Sequence, residues 1–483
     1  MKSELTRKYG ALMAFCMVVG TVIGSGIFFR NENILAVIGG NMWYGVAAWG
    51  VGGLITLVIS YVFATLAVKH EDAKGLVGIA EKMVGRPYGY LFGWFLATIF
   101  FPSLTGILAL VSARFTVILL EFPVENAWFS GYTYLIALFY LIAVYSMTTL
   151  APKLAQRFHI SCTFLKVVPL ILMAVVGTIA GLMNGTTLDN LQMGYAPLTE
   201  VNNPFFVALI ATIFAYIGWE AVMNIAGEVK NPKRNLPLAV VGGMLVIMTI
   251  YVMYFVGVFS ATNIGALATG DLPPNEVVMS AFTGLFSQIG GTGLFVFIII
   301  SCLGTLNGLM IGGQKTFYAL ATRKSGFNPD LFSQVDDVTD MPNNSANLFL
   351  FAVAAWMVLF GANFAGWYGE FWSNISGGAV GTFDIAGLVP ITLNGFLIPV
   401  LIMTIVKEKD FGWFNRFAAP IAALAGACFL VYAVWYTQSW AAAFYLACFA
   451  AVMGIGMLKY RKKQDEDEDG GGKQEAAAQL QEA

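Results

Sequence analysis

The stretch Gly20 to Phe29, GTVIGSGIFF, lies within a hydrophobic run that begins near Ala11 and reaches Gly39. Gly20, Gly24, Ser25 and Gly26 crowd its centre. An interior glycine costs a helix about 1 kcal/mol relative to alanine. A segment long enough to cross a bilayer therefore places its weakest helix formers at mid-membrane. Two structures use such a sequence. One is a small-residue seam for close helix packing, since Gly20 and Gly24 have the small-xxx-small spacing. The other is a helix that breaks.

Composition places the stretch in a membrane. The chain has 483 residues, 58% hydrophobic and 11% charged, with a mean hydropathy of +0.74. Soluble domains carry about 25% charged residues. Apolar stretches of about 20 residues, enough for a hydrocarbon core of about 30 Å, recur along nearly the whole length. Period-2 alternation is absent, which argues against a β-barrel. The expected fold is an all-α polytopic membrane protein of about twelve transmembrane helices. Their approximate limits are 11–38, 42–68, 88–120, 126–148, 159–183, 204–228, 236–262, 280–322, 346–362, 380–406, 412–436 and 439–459. These are numbered here as spans 1 to 12. The third is long enough to be strongly tilted, and the eighth includes a short outer helix before the span proper.

The charges give direction. Of the 26 Lys and Arg, all but Arg30, Arg114 and Lys166 fall at the termini or in alternate loops, on one side. The other loops carry only acids, Glu121, Glu125, Asp189, Glu200, Asp271, Glu276 and Glu370. By the positive-inside rule both termini are expected to be cytoplasmic, and an even number of spans follows. The amino terminus MKSELTRKYG lacks a cleavable-signal pattern, so the run after it is read as span 1. Cys16, Cys162, Cys302, Cys428 and Cys448 all sit in apolar runs without CxxC or metal-like spacing, as small buried hydrophobes. No metal or cofactor is expected.

The domain reading has four parts. Residues 1–10 form a cytoplasmic amino terminus. Residues 11–406 form a transport core, divided into about 11–183 and 204–406. Spans 11 and 12 occupy 407–460, and residues 461–483 form a disordered acidic cytoplasmic tail.

A second span repeats the glycine-rich interruption. Span 6 reads IFAYIGWEAVMNIAGEVKNPKRNLPLA, with Gly218 and Gly227. Span 1 leaves the side that bears the termini and span 6 returns to it, and each opens a block of five. A packing seam explains one such span. Two of them, oppositely oriented and correspondingly placed, point to a transporter built from inverted repeats. A break frees N–H groups on one half-helix and C=O groups on the other. In hydrocarbon these cost several kcal/mol each unless satisfied. A zwitterionic amino acid supplies both partners: its carboxylate suits a half-helix N-terminus and its ammonium suits freed carbonyls.

GTVIGSGIFF, FAYIGWEAVMNIAGEVKNPKRNLPLA and ISCLGTLNGLMIGGQKTFYALATRKSGFNPDLF resemble spans 1, 6 and 8 of amino-acid permeases of the amino acid–polyamine–organocation superfamily. The nearest branch is that of the L-type transporters and the bacterial serine/threonine exchangers. Spans 9 to 12 carry no matching motif. The resemblance implies a LeuT-like fold, a five-plus-five inverted repeat with discontinuous helices 1 and 6, followed by two extra spans. It implies that the substrate carboxylate meets Ser25 and the amide of Gly26, with Gly24 nearby. The ammonium would meet carbonyls of Val22, Phe214 and Ile217. Ala215 adjoins these, Phe214 closes over the substrate, Trp219 ends the F-A-Y-x-G-W run, and Asn307 stands on the span 8 wall. Lys166 matches a span 5 lysine of sodium-independent members, where it would replace a bound sodium ion and tie span 5 to the break.

Some residues keep alternatives. Lys166 can also snorkel to the near membrane face. Glu220 can relay protons or gate, form a static ion pair, or contact a cationic substrate. Arg30 is an outer vestibule charge or an interfacial anchor, Arg114 lies near an outer helix end, and Asp384 is a weaker gate candidate. The EVKNPKRNLPLA loop couples the base of span 6 to span 7.

The expected function is sodium-independent secondary transport of L-amino acids, neutral ones first, across the plasma membrane by alternating access, as exchanger or proton-coupled permease. The alternative is a cationic amino acid or polyamine antiporter. An enzyme is disfavoured: His70 and His159 read as near loop ends, no HExxH, GxSxG or Walker pattern occurs, and no catalytic residue is assigned. The expected partners are an amino-acid substrate and the lipid bilayer, with proton coupling open and no nucleic acid.

Overall fold

The computed structural model describes residues 6–192, 203–273, 276–364 and 385–481, Gly39 and Lys74 excepted. Asp384, Glu200 and Glu370 lie outside the described residues. Among the described residues, ten helices are long and apolar enough to cross a membrane. They are Met42–Lys69, Arg86–Leu119, Gly131–Leu150, Pro152–Met183, Pro204–Asn224, Pro232–Ala261, Val277–Ala321, Asn343–Ala362, Val389–Lys407 and Phe414–Tyr436. The pair Ala11–Val22 and Gly26–Val37 makes a further span bent by 43°, and Tyr445–Leu458 is a shorter apolar helix. They fall on the twelve expected stretches. Helical backbone continues to Gln481, through the acidic stretch expected to be disordered.

Local chemistry sets where these helices begin. Asn41, Ser130, Asn203 and Asn263 cap helices by accepting backbone N–H groups through their side chains. Pro87, Pro152, Pro204 and Pro232 stand in first turns, where the missing N–H costs nothing. Pro102, Pro169 and Pro237 each lie within about a turn of a π-helical segment, at Leu96–Phe100, Met173–Gly177 and Leu238–Gly242. The non-helical backbone of Ser287 separates the expected short outer helix from the body of span 8.

Burial divides spans that are equally apolar. Span 3 is 94% buried within the protein and span 4 only 33%. Spans 3 and 8, which correspond in the two repeats, pack along each other, and span 8 also packs on spans 1 and 5. Span 2 lies against spans 6 and 7. Spans 11 and 12 lie along the outside of this core. Phe414 and Gly426 touch Tyr61 and Ile55 of span 2, while Phe449, Val452 and Tyr460 touch Phe95, Trp94 and Tyr90 of span 3.

Candidate functional site

Span 1 breaks where the glycines sit. Its first half-helix ends at Val22, Ile23 turns extended (φ −70, ψ 96), and the second half-helix starts at Gly26. Span 6 breaks over Tyr216 to Gly218, between Pro204–Ala215 and Trp219–Asn224. The breaks meet backbone to backbone. Gly218 has φ +129, and a Cβ there would stand 2.7 Å from the Thr21 carbonyl carbon and 2.8 Å from the Val22 nitrogen. Only glycine meets both the angle and the approach. From the other side, a Cβ at Gly26 would stand 3.0 Å from the Ala215 Cα.

A cavity of about 30 Å³ lies at this crossing. That holds a water or two. Val22, Gly24, Ser25, Gly26, Phe214, Ala215 and Ile217 line it, together with Thr21, Leu104, Ile107, Leu108, Thr305 and Leu309. Trp219 and Asn307 lie off its wall. Trp219 is buried against Phe63 with ring centroids 5.9 Å apart. Asn307 turns to span 5 and donates through Nδ2 to the Ala155 carbonyl at 3.1 Å. Helical phase explains this: Thr305 and Leu309, four apart, face the cavity, and a residue midway between them faces about the opposite way.

The carbonyls freed at the end of the first half-helix are not left bare. Lys166 Nζ donates to the Gly20 oxygen at 2.5 Å and to the Ile23 oxygen at 2.6 Å, with the Ser301 oxygen and Thr305 Oγ1, both at 3.2 Å, sharing its third N–H. Thr305 Oγ1 donates toward the same two carbonyls, at 3.3 and 3.0 Å. The negative end of the half-helix dipole thus faces a protein cation. Snorkelling is excluded, because span 5 begins at Pro152 rather than near His159, which puts Lys166 about four turns in and fully buried.

At the span 6 break the partners are local. Glu220 is buried, and its Oε2 accepts the Gly218 N–H at 2.8 Å. Its carboxylate caps its own half-helix, turned away from the cavity wall. The Tyr251 hydroxyl of span 7 lies 3.2 Å from the Val22 oxygen and 3.1 Å from the Ala215 oxygen, touching both breaks at once. Sequence reading missed it, as it missed Leu104, Ile107 and Leu108. Nothing distinguishes one face of an all-apolar span before packing is known.

The cavity is closed on both sides. Outward, the Arg30 guanidinium lies 4.8 Å over the Phe214 ring, and Arg114 lies 4.1 Å over Trp128. Both are cation–π contacts. Toward the terminal face, Tyr9 pairs with Val229 in a parallel bridge, with Lys230 N donating to the Tyr9 oxygen at 2.8 Å. Lys8 reaches Glu228 at 3.2 Å and Asp340 at 3.0 Å, and Lys315 pairs with Glu228 in a buried contact. The EVKNPKRNLPLA loop thereby holds the chain's amino-terminal segment as well as joining spans 6 and 7. Among the described residues no group of His, Cys, Asp or Glu could hold a metal ion.

Residues 9–470 match the family model described as amino acid permease. The chain belongs to that family. It is 29% identical over 323 residues to the serine/threonine exchanger SteT of Bacillus subtilis, covering 66% of this chain and 69% of that protein. To the cystine/glutamate transporter of Homo sapiens it is 24% identical, over 69% of this chain and 64% of that one. To the aspartate-proton symporter of Bacillus subtilis it is 26% identical, over 68% and 62%. The crystal structure of MhsT in complex with L-phenylalanine superposes with a TM-score of 0.59 at 18% identity, covering 89% of this chain and 99% of that one. The fold is therefore LeuT-like, and the protein is a membrane transporter rather than an enzyme.

Proposed function

We propose that this permease is a sodium-independent secondary transporter of neutral L-amino acids, working by alternating access in the plasma membrane with both termini cytoplasmic. The observation that carries the reading is the Lys166 ammonium on the Gly20 and Ile23 carbonyls. Carbonyls converging at a half-helix end form a cation site, and here the cation belongs to the chain. An amino acid entering the expanded cavity would set its carboxylate on Ser25 and the Gly26 amide. Its ammonium would take the carbonyls of Val22, Phe214 and Ile217, sharing Val22 with Tyr251.

The rest of the lining supports a neutral side chain. Leu104, Ile107, Leu108, Ala215 and Leu309 are apolar, and among the described residues no lining residue is acidic. A cationic amino acid or a polyamine would bring a buried charge without a partner, at a cost of several kcal/mol. Glu220, the nearest acid on span 6, is engaged with Gly218.

Purified protein in liposomes preloaded with unlabelled serine should take up labelled serine, threonine or leucine without a sodium gradient. Uptake that requires sodium, or flux confined to agmatine and putrescine, would overturn the reading. An imposed pH gradient separates the two modes: net uptake into empty vesicles marks a proton-coupled permease, and its absence marks an exchanger.

A further inference from the structure

Lys166 is not the only basic side chain that span 5 sends between spans 1 and 8. His159 lies two turns nearer the terminal face on the same side of the helix, and it is fully buried, not at a loop end. Its Nδ1 is 3.1 Å from the Gly304 oxygen of span 8, and its Nε2 is 2.9 Å from the Cys16 oxygen in the inner half of span 1. Glycines make room for the ring. A Cβ at Gly20 would come within 2.8 Å of Nε2, and one at Gly308 within 2.8 Å of Cε1.

Both neighbours are carbonyl oxygens and can only accept. A neutral imidazole has one N–H and one lone pair. It therefore bonds one carbonyl and sets its lone pair against the other at hydrogen-bonding distance. An imidazolium donates to both. The paired carbonyls at hydrogen-bonding distance are what favours the charged ring. The proton's residence then depends on whether the inner half of span 1 stands against the ring.

We infer that His159 is a proton-operated latch on the inner half of span 1. Protonated, it fastens span 1 and span 8 to span 5; with one proton lost, one of the two fastenings goes and the half-helix is freer to swing. Lys166 and His159 are then two rungs of one ladder. The inference rests on the alternating-access reading above. The other titratable groups around the ring are few. Lys166 and Cys162 lie on its own helix, Cys16 on span 1 and Cys302 on span 8, while span 4 and the Gly243–Ala261 part of span 7, among the described residues, bring tyrosines but no acid or base. Lys166 is the one basic group among them.

The test compares the wild type with His159→Gln and His70→Gln in liposomes, measuring serine exchange at equal pH on both sides. Glutamine donates to one carbonyl and does not titrate. From about pH 5.5 to about pH 8, where a histidine proton is exchanged, wild-type flux should rise about fivefold. His159→Gln should be flat and His70→Gln should follow the wild type. A His159→Gln profile that keeps the wild-type slope overturns the latch. Wild type that exchanges no amino acid at any pH counts against the transport reading instead. In that case, or if the Gln variant does not fold, ring nitrogen-15 resonances of the wild type decide the matter. Passage of His159 from one neutral tautomer to the doubly protonated ring over the same range supports the latch, and a single neutral tautomer throughout overturns it.

Discussion

The two breaks meet at Gly218 and solve the same problem in opposite ways. Carbonyls freed in span 1 are held from outside, by Lys166 of span 5 and Thr305 of span 8. At span 6 the Gly218 amide is held from within, by the carboxylate of Glu220 two residues on. The span 1 break can therefore change shape only by loosening two other helices. The span 6 break travels with its own cap. Tyr251 is the exception that joins them, with one hydroxyl between the Val22 and Ala215 carbonyls. On this contrast, the span 1 break is tied to its neighbours and the span 6 break to itself.

Lys166→Ala is the severest way to break that contrast. It leaves the Gly20 and Ile23 carbonyls buried with fewer donors, at about 1–3 kcal/mol each. Exchange should fall about 100-fold while the protein still inserts and folds, as read by flux beside size-exclusion behaviour. Unchanged flux would mean that the span 1 carbonyls need no partner from another helix. Gly218→Ala attacks the meeting point itself. Its positive φ would strain an alanine by about 1–3 kcal/mol, and its Cβ would press on Thr21 and Val22. A loss of about tenfold in flux, with a lower melting temperature, is expected from thermal unfolding and uptake measured together.

Tyr251→Phe sharpens the comparison more gently. Losing one hydroxyl between two carbonyls should cost about 1 kcal/mol, seen as a small fall in melting temperature. Addition of substrate should recover part of it, since the amino acid's ammonium takes over the Val22 oxygen. Asp340→Asn should have the smallest effect, because a partly exposed ion pair is worth under about 1 kcal/mol. Burial raises the Asp340 carboxyl, but hydrogen bonds from Thr6 and Lys8 outweigh it and hold it below the usual carboxylate range. A lowered carboxyl stabilises the fold above its ordinary range and loses that contribution as pH falls through the lowered value. Hydrogen exchange of residues 6–9, corrected for intrinsic rates, should therefore speed up only in strong acid in the wild type. In Asp340→Asn it should be faster already at neutral pH.

Much of the architecture was readable before any coordinates. Membrane spans announce themselves because unpaired backbone cannot stand in lipid, and Lys and Arg mark the side they stay on. The breaks were legible because two glycine-rich interruptions stand at corresponding places in oppositely oriented spans. Phase was harder to read. Spans 3 and 4 are both predominantly apolar, yet one is buried and the other is largely exposed, because lipid and core accept the same side chains. That hid Leu104, Ile107 and Leu108, and it let Asn307 be assigned to the site when its helical phase sends it to span 5. The start of span 5 was also misjudged. Pro152 opens the helix seven residues before the apolar pattern does, and this made His159 look peripheral.

The bridge between Tyr9 and Val229 has a practical side. Through it, the first described residues are packed on the loop between spans 6 and 7 rather than forming a loose lead-in. A purification tag or fluorescent fusion placed directly ahead of Thr6 would pull on that packing. Handles for this transporter belong at the other end of the chain, and a reporter meant to feel each turnover belongs at this one.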